Sequence, residues 1–203
     1  MARATWFCID IECSGTVPGL FDMISLGAQV VYEREGGSLA LGPQLYLEMK
    51  PQAPKVDARA MAVNGLDLER LRRDGMTRRD AMLALTDWVQ EHATPGSEAV
   101  FVGHNAPFDW SFVSYAYKAE ELDNPFGYKA LDTKALAAGV LDLHWLDTGK
   151  ETLAERLGLP AEDMGQKHRA DYDAWYQALV LKGLLEFQRG QSAPADTSTH
   201  VPV

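Results

Sequence analysis

Four carboxylates and one imidazole, in three short segments, are the residues of this chain best suited to chemistry: Asp10 and Glu12 in WFCIDIECSG, Asp109 in VGHNAPFDW, and His168 with Asp173 in KHRADYDAW. Each segment puts an acid at the end of an apolar run or at the start of a helical one. That is how a fold gathers acids distant in sequence around divalent cations. The chemistry the pattern points to is two-metal cleavage of a phosphodiester.

Elements must hold those residues in place. ATWFCIDIEC reads as a strand, in which alternate side chains share a face, so Asp10 and Glu12 point the same way with Cα atoms roughly 7 Å apart. Trp6 and Cys8 share that face while Phe7, Ile9 and Ile11 take the other, which suits a central strand buried on both sides. Two carboxylates ending such a strand repel one another without a partner, and a divalent cation is the simplest one. A salt bridge or a solvated strand end is the plainer alternative. Asp109 falls in the first turn of a helix after VGHN, where the helix dipole alone favours an acid. His104 and Asn105 sit at that strand-to-helix junction, where they either cap the loop or contact a ligand. His168 lies in the loop before the last helix, placed to take a proton from water, and Asp173 follows inside that helix. Asp171, between them, is expected to face solvent beside Lys167 and Arg169.

The rest of the chain reads as strands first, then helices alternating with strands. DMISLGAQVVYE and QLYLEMK are two further strands, giving an antiparallel start. Helical stretches follow at DARAMAVNG and LDLERLRR. TRRDAMLALTDWVQEHA is a clear helix: Thr77 and Asp80 have capping-box-like spacing, and Met82, Leu85, Trp88 and Val89 form an apolar stripe. PGSEAVFVGHN is a strand, and Pro107 suits the first position of the helix after it. KALDTKALAAGVL holds a short strand and a helix beginning near Asp132. ETLAERLGLP is a short helix ended by Gly158 and Pro160, and HRADYDAWYQALVLKGLLEFQ is a long one. The order predicts an α/β domain with a mixed sheet over residues 1–189, and the small and polar residues of 190–203 predict a disordered tail.

With 203 residues, 46% of them hydrophobic and 24% charged, the chain suits one soluble globular domain. It has no apolar run long enough to span a membrane and no secretory pattern at its start, so a cytoplasmic protein is expected. Cys8 and Cys13 are then expected to be partly buried thiols rather than a disulfide. The net charge of −10 argues against gripping duplex nucleic acid along its length. It is less awkward for holding one strand end, where metal ions supply local positive charge.

Together the three segments resemble the DEDDh, or DnaQ-like, family of 3′–5′ exonucleases. Asp10-x-Glu12 matches the first motif, GHNAPFD ending at Asp109 the second, and His168-x4-Asp173 the third, in order and at suitable separations. Within the family the stretches AVNGLD, GHNAPFDWSFV and NPFGYKALDTKALA are similar to RNase T-like members, and somewhat less to polymerase-proofreading-like ones. The resemblance implies an RNase H-like fold with a central mixed five-stranded sheet flanked by helices. It implies a metal-dependent exonuclease acting on the 3′ end of single-stranded DNA or RNA, or on short 3′ overhangs, and releasing 5′-nucleoside monophosphates.

By the same resemblance Asp10, Glu12, Asp109 and Asp173 hold two divalent ions, Mg²⁺ or Mn²⁺, and His168 is the general base. Cys13, Ser14, Gly15, Asn64, Gly65, Leu66, His104, Asn105 and Phe108 are its candidate substrate contacts; for Leu66 and Phe108, core packing is the competing reading. Cys13 departs from the threonine that many relatives carry after the glutamate. Arg70, Arg72, Arg73, Arg78 and Arg79 either touch the strand upstream or coat a solvated helix surface. A homodimer, and a polymerase or repair partner, are compatible with the resemblance. An accessory docking subunit and a phosphatase acting on mononucleotides are the rival readings.

Overall fold

The computed structural model describes residues 3–191. β1 (Ala4–Cys13), β2 (Met23–Glu33) and β3 (Leu39–Glu48) come first, followed by α1 (Ala58–Asn64), α2 (Leu68–Asp74) and α3 (Arg78–His92). β4 (Glu98–Gly103), α4 (Ala106–Ala119), β5 (Ala130–Asp132), α5 (Thr133–Leu141), α6 (Lys150–Leu157) and α7 (Ala170–Gln191) complete the chain. The sheet order is β3-β2-β1-β4-β5. β1 to β3 form the expected antiparallel start, while β4 and β5 join parallel to β1. The sheet is therefore mixed, with β1 at its centre.

Alternation along β1 divides the core as the sequence predicts. Phe7, Ile9 and Ile11 pack with the stripe of α3 (Met82, Leu85, Trp88, Val89) and with Phe112, Val113 and Tyr117 of α4. On the other face Cys8, with Trp6 beside it, meets Ala178, Leu181 and Leu185 of α7. Behind α7, its Tyr176, Val180 and Leu184 close a third cluster with α5 and α6. Burying that much apolar surface on both faces of one strand fixes its register, because a one-residue slip would turn Asp10 and Glu12 toward the opposite face.

Local signals hold at most boundaries. Thr77 caps α3 by accepting from the Asp80 N–H at 3.1 Å, and its hydroxyl donates to Asp80 at 2.6 Å. Asp132 caps α5, and Gly65 ends α1 in the left-handed region at φ 66°. Three expectations need correction. α4 begins at Ala106, so Pro107 takes its second position, where a missing N–H is equally harmless. α7 continues through Gln191, past the Gly190 expected to open the tail; residues 192–203 of that expected tail lie outside the described residues. Asp171 is half-buried rather than solvent-facing: one carboxylate oxygen pairs with Arg169 at 2.9 Å and the other is buried without a hydrogen bond.

Cys8 and Cys13 are both buried and free, and burial raises both thiols, Cys13 to about 11. No helix among the described residues is long and apolar enough to cross a membrane.

Candidate active site

The parallel ladder between β1 and β4 ends at Cys8 and Val102, yet β1 runs on for five more residues. Past that point its backbone groups on the β4 side have no strand to pair with, and side chains take them up. Asp109 Oδ1 accepts from the Ile11 N–H at 3.1 Å, and Gln177 Nε2 donates to Ile9 O at 3.1 Å and Val102 O at 3.0 Å. This is the crevice at the carboxyl ends of strands where α/β folds place their ligands. The Ile11 contact puts Asp109, from α4, alongside the backbone that joins Asp10 to Glu12.

Asp173 arrives from the opposite layer. Asp10 stands beside Gly27 of β2, and a Cβ at Gly27 would come within 2.0 Å of the Ala170 carbonyl oxygen. Only glycine lets the first turn of α7 press onto the sheet there, which carries Asp173 to the strand carboxylates. The His168 N–H donates to Asp173 Oδ2 at 2.7 Å, and His168 adopts φ 65°, so backbone geometry leaves its imidazole exposed at the rim. Donor atoms of Glu12, His168 and Asp173 lie within 4.8 Å of one another.

A cavity of about 990 Å³ takes in all five motif residues, Asp10, Glu12, Asp109, His168 and Asp173, together with His104, Asn105 and Phe108. Phe108 leans on Phe112 with ring centroids 5.4 Å apart while one side borders the cavity, so wall and core readings both apply. His104 is pinned through Nδ1 to Thr133 at 2.9 Å, and its N–H donates to Gln177 at 2.7 Å. Burial, with Lys150 and Lys134 adding to it, lowers its pKa to about 3 and keeps it neutral. Asn105 is exposed, with φ 70°, and its N–H donates to Asp132 at 2.9 Å.

The other proposed contacts lie outside that cavity's walls. Asn64 ties them together: its Nδ2 donates to Cys13 O at 3.1 Å and its Oδ1 accepts from Leu66 N–H at 3.0 Å, beside Gly65. Ser14 is buried and its hydroxyl accepts from Asp22 N–H, while Gly15 lies against the Phe21 ring. The arginines of RLRRDGMTRR pair with carboxylates or carbonyls of this chain: Arg70 with Glu48, Arg72 with Glu69, Arg73 with Asp74, Arg78 with Glu120, and Arg79 with the Glu120 carbonyl.

Of the cavity residues that the sequence left unmarked, Lys150 and Glu162 bear directly on the acids. Lys150, the first residue of α6, is largely buried and places Nζ 2.5 Å from Asp173 Oδ1 and 3.5 Å from Glu162 Oε1. Burial alone would lower its pKa, but Asp10 and Asp173 outweigh that and raise it. A lysine at a helix N-terminus opposes the dipole, and that was the available signal. Glu162, from the loop after α6, carried none.

Crowding shows in the protonation of the acids. Burial, then Asp109 and Asp173, push Asp10 far above the ordinary carboxylate range. Burial raises Glu12 to about 8, with Asp173 and Asp109 contributing, and burial raises Asp109 to about 7 against the pull of its backbone hydrogen bonds. Such a donor set fits a hard divalent cation, whose charge would let Asp10, Glu12 and Asp109 ionise.

A stability prediction follows from the sign of these shifts. Folded values above unfolded ones mean the linked stability is full below the ordinary carboxylate pKa and is lost as pH rises through about 7 to 8. In chelator, Tm should therefore fall by several degrees between about pH 5 and about pH 9, at roughly 2–4 °C per kcal/mol for a chain of this size. Saturating Mg²⁺ should remove most of that fall. Calorimetry at matched ionic strength checks it, and a flat chelator profile contradicts it.

Comparisons with known proteins agree with this geometry. The family model described as "3′-5′ exoribonuclease Rv2179c-like domain" matches residues 5–185. The chain is 38% identical over 174 residues to the 3′-5′ DNA exonuclease Cap18 of Escherichia coli, covering 86% of this chain and 88% of that one. It is 30% identical over 181 residues to Ribonuclease T of Yersinia pestis, covering 85% and 80%. Its fold superposes with a TM-score of 0.72, at 12% identity, on the solved nuclease domain of 3′hExo, a DEDDh family member, bound to rAMP, covering 90% of this chain and 92% of that one.

Proposed function

This chain belongs to the Rv2179c-like 3′–5′ exoribonuclease domain family, and on that premise we propose that it is a DEDDh-type enzyme that removes single nucleotides from the 3′ end of single-stranded nucleic acid or short 3′ overhangs, using two divalent cations. The observation that carries the reading is the convergence of Asp10, Glu12, Asp109, Asp173 and His168 on one cavity from three separate elements and the loop before α7. The relatives are named for DNA in one case and RNA in the other; the higher identity to the DNA exonuclease puts single-stranded DNA first among the substrates.

Asp10, Glu12, Asp109 and Asp173 would hold the two ions. The all-oxygen set selects Mg²⁺ or Mn²⁺. Bound there, such ions supply activation of the attacking water and stabilisation of charge on the departing 3′ oxygen. Asp109 is held in orientation by the Ile11 N–H. His168, at the rim, takes the proton from that water. Phe108 offers one ring to a terminal base, a contact that tolerates any base. The product is a 5′-nucleoside monophosphate.

Matched DNA and RNA oligonucleotides, 5′-labelled, single-stranded or with 3′ overhangs, test the proposal in Mg²⁺. A ladder shortening from the 3′ end is expected, faster on single-stranded DNA than on RNA. Release of phosphate from mononucleotides, with no ladder, would make the protein a phosphatase and end this reading. A ladder faster on RNA would reverse only the order of substrates.

A further inference from the structure

The carboxylate cluster already holds one cation of the protein's own. Lys150 Nζ sits 2.5 Å from Asp173 Oδ1, and its side chain is only 13% exposed. A second acceptor stands ready beside it: Glu162 Oε1 is buried and makes no hydrogen bond, with the same Nζ 3.5 Å away. A shift of roughly 1 Å would bring that pair to the 2.7–2.9 Å of a charge-assisted hydrogen bond. Lys167, 3.7 Å from the other oxygen of Glu162, completes the group. Glu162 is therefore a nearly buried carboxylate flanked by two ammonium groups, one of which leans away from it toward Asp173.

We propose that Lys150 is a built-in counter-ion that competes with the divalent metal for Asp173, and that Glu162 receives its ammonium when the metal binds. This rests on the reading of the motif carboxylates as the metal site. The physical reason is charge balance. Buried acids this close must be neutralised by protons or by cations, and an ammonium on a flexible four-carbon stem can do so and still withdraw. A divalent ion and an ammonium cannot both occupy the same carboxylate oxygen, so each lowers the other's occupancy. Retreat to Glu162 keeps the displaced ammonium paired inside the same cavity instead of stranding it. Lys150 thus sets the metal concentration at which the site loads, and lies beside the cavity's substrate space once it has.

Mn²⁺ binding without nucleic acid, followed by electron paramagnetic resonance and by calorimetry, tests this independently of activity. Lys150→Met should bind Mn²⁺ about tenfold or more tightly than wild type, and Lys150→Arg, which keeps the charge, within a few-fold of it. In chelator, Lys150→Met should melt below wild type and recover with Mn²⁺. Glu162→Gln should weaken Mn²⁺ binding several-fold in the wild-type background and have little effect beside Lys150→Met, because its role requires the ammonium. Equal Mn²⁺ affinity in wild type and Lys150→Met, with binding abolished by Asp10→Asn, would overturn the counter-ion role and leave the metal site standing. Binding that survives Asp10→Asn unchanged would overturn both. Should Lys150→Met fail to fold in chelator, Lys150→Gln and the Glu162→Gln comparison carry the same test.

Discussion

Asp10→Asn is expected to leave a folded protein that shortens no oligonucleotide from its 3′ end. Asparagine keeps the shape of the side chain, so the packing of β1 against α7 is undisturbed, and only the charge and one acceptor oxygen are lost. In the proposed mechanism Asp10 is one of the four carboxylates that would hold the ions, so its loss should remove several kcal/mol of transition-state stabilisation. At about 1.4 kcal/mol per factor of ten, that is about a thousandfold or more in rate. Stability should move the other way. Asp10 is pushed up mainly by burial and by Asp109 and Asp173, so a neutral residue relieves the crowding. Its Tm in chelator at neutral pH should match or exceed that of wild type. A labelled-oligonucleotide assay in Mg²⁺, paired with melting in chelator, reads both. Ladders of unchanged rate would remove Asp10 from the site, whereas a collapsed Tm would show that the variant lost structure rather than chemistry.

The parts of this site that were legible from sequence share one property: their placement follows from local rules. Alternation in β1 puts Asp10 and Glu12 on one face whatever the rest of the chain does. The His168–Asp173 spacing needs only that a helix begin between them, as α7 does at Ala170. Asp109 had a sufficient local explanation in the dipole of α4, and its second role appears only with the Ile11 N–H left beyond the end of β4. Lys150 and Glu162 were missed for the opposite reason. They join the site through a pairing across 23 residues with Asp173 and through the path of the loop after α6, neither of which leaves a periodic trace. Cys13, Ser14 and Gly15 are not in the cavity wall despite their nearness in sequence to Glu12: alternation turns Cys13 to the core face with Ile11, and β1 ends there. The arginines of RLRRDGMTRR left two sequence readings open, an upstream-strand contact or a solvated helix surface; the fold pairs Arg70 with Glu48 and Arg78 with Glu120, which leaves them less free to grip an extended strand. An enzyme of this charge is better fitted to one strand end, with the cavity's cations supplying the local attraction.

The second large effect is expected at His168, and it should differ in kind from that at Asp10. The link of this residue to the site is its backbone N–H, donated to Asp173 Oδ2, while its imidazole stands exposed at the rim. His168→Ala keeps that N–H, so Asp173 retains its orientation and Mn²⁺ affinity should remain within a few-fold of wild type. The rate should nonetheless fall by roughly a hundredfold or more, the usual contribution of a positioned general base. It should fall in kcat more than in KM, because the substrate and metal contacts are left in place. The geometry allows one rival role, since His168, Glu12 and Asp173 could share a single ion within the 4.8 Å that spans their donor atoms. Metal titration separates the two: an alanine variant that loses Mn²⁺ binding together with activity makes His168 a ligand, and one that loses only turnover makes it the base. A variant with wild-type rates across the pH range would exclude both. The left-handed backbone at His168 also predicts that His168→Asn, a residue that tolerates that conformation, keeps the loop in place. It should be as inactive as the alanine variant, since an amide cannot accept the proton.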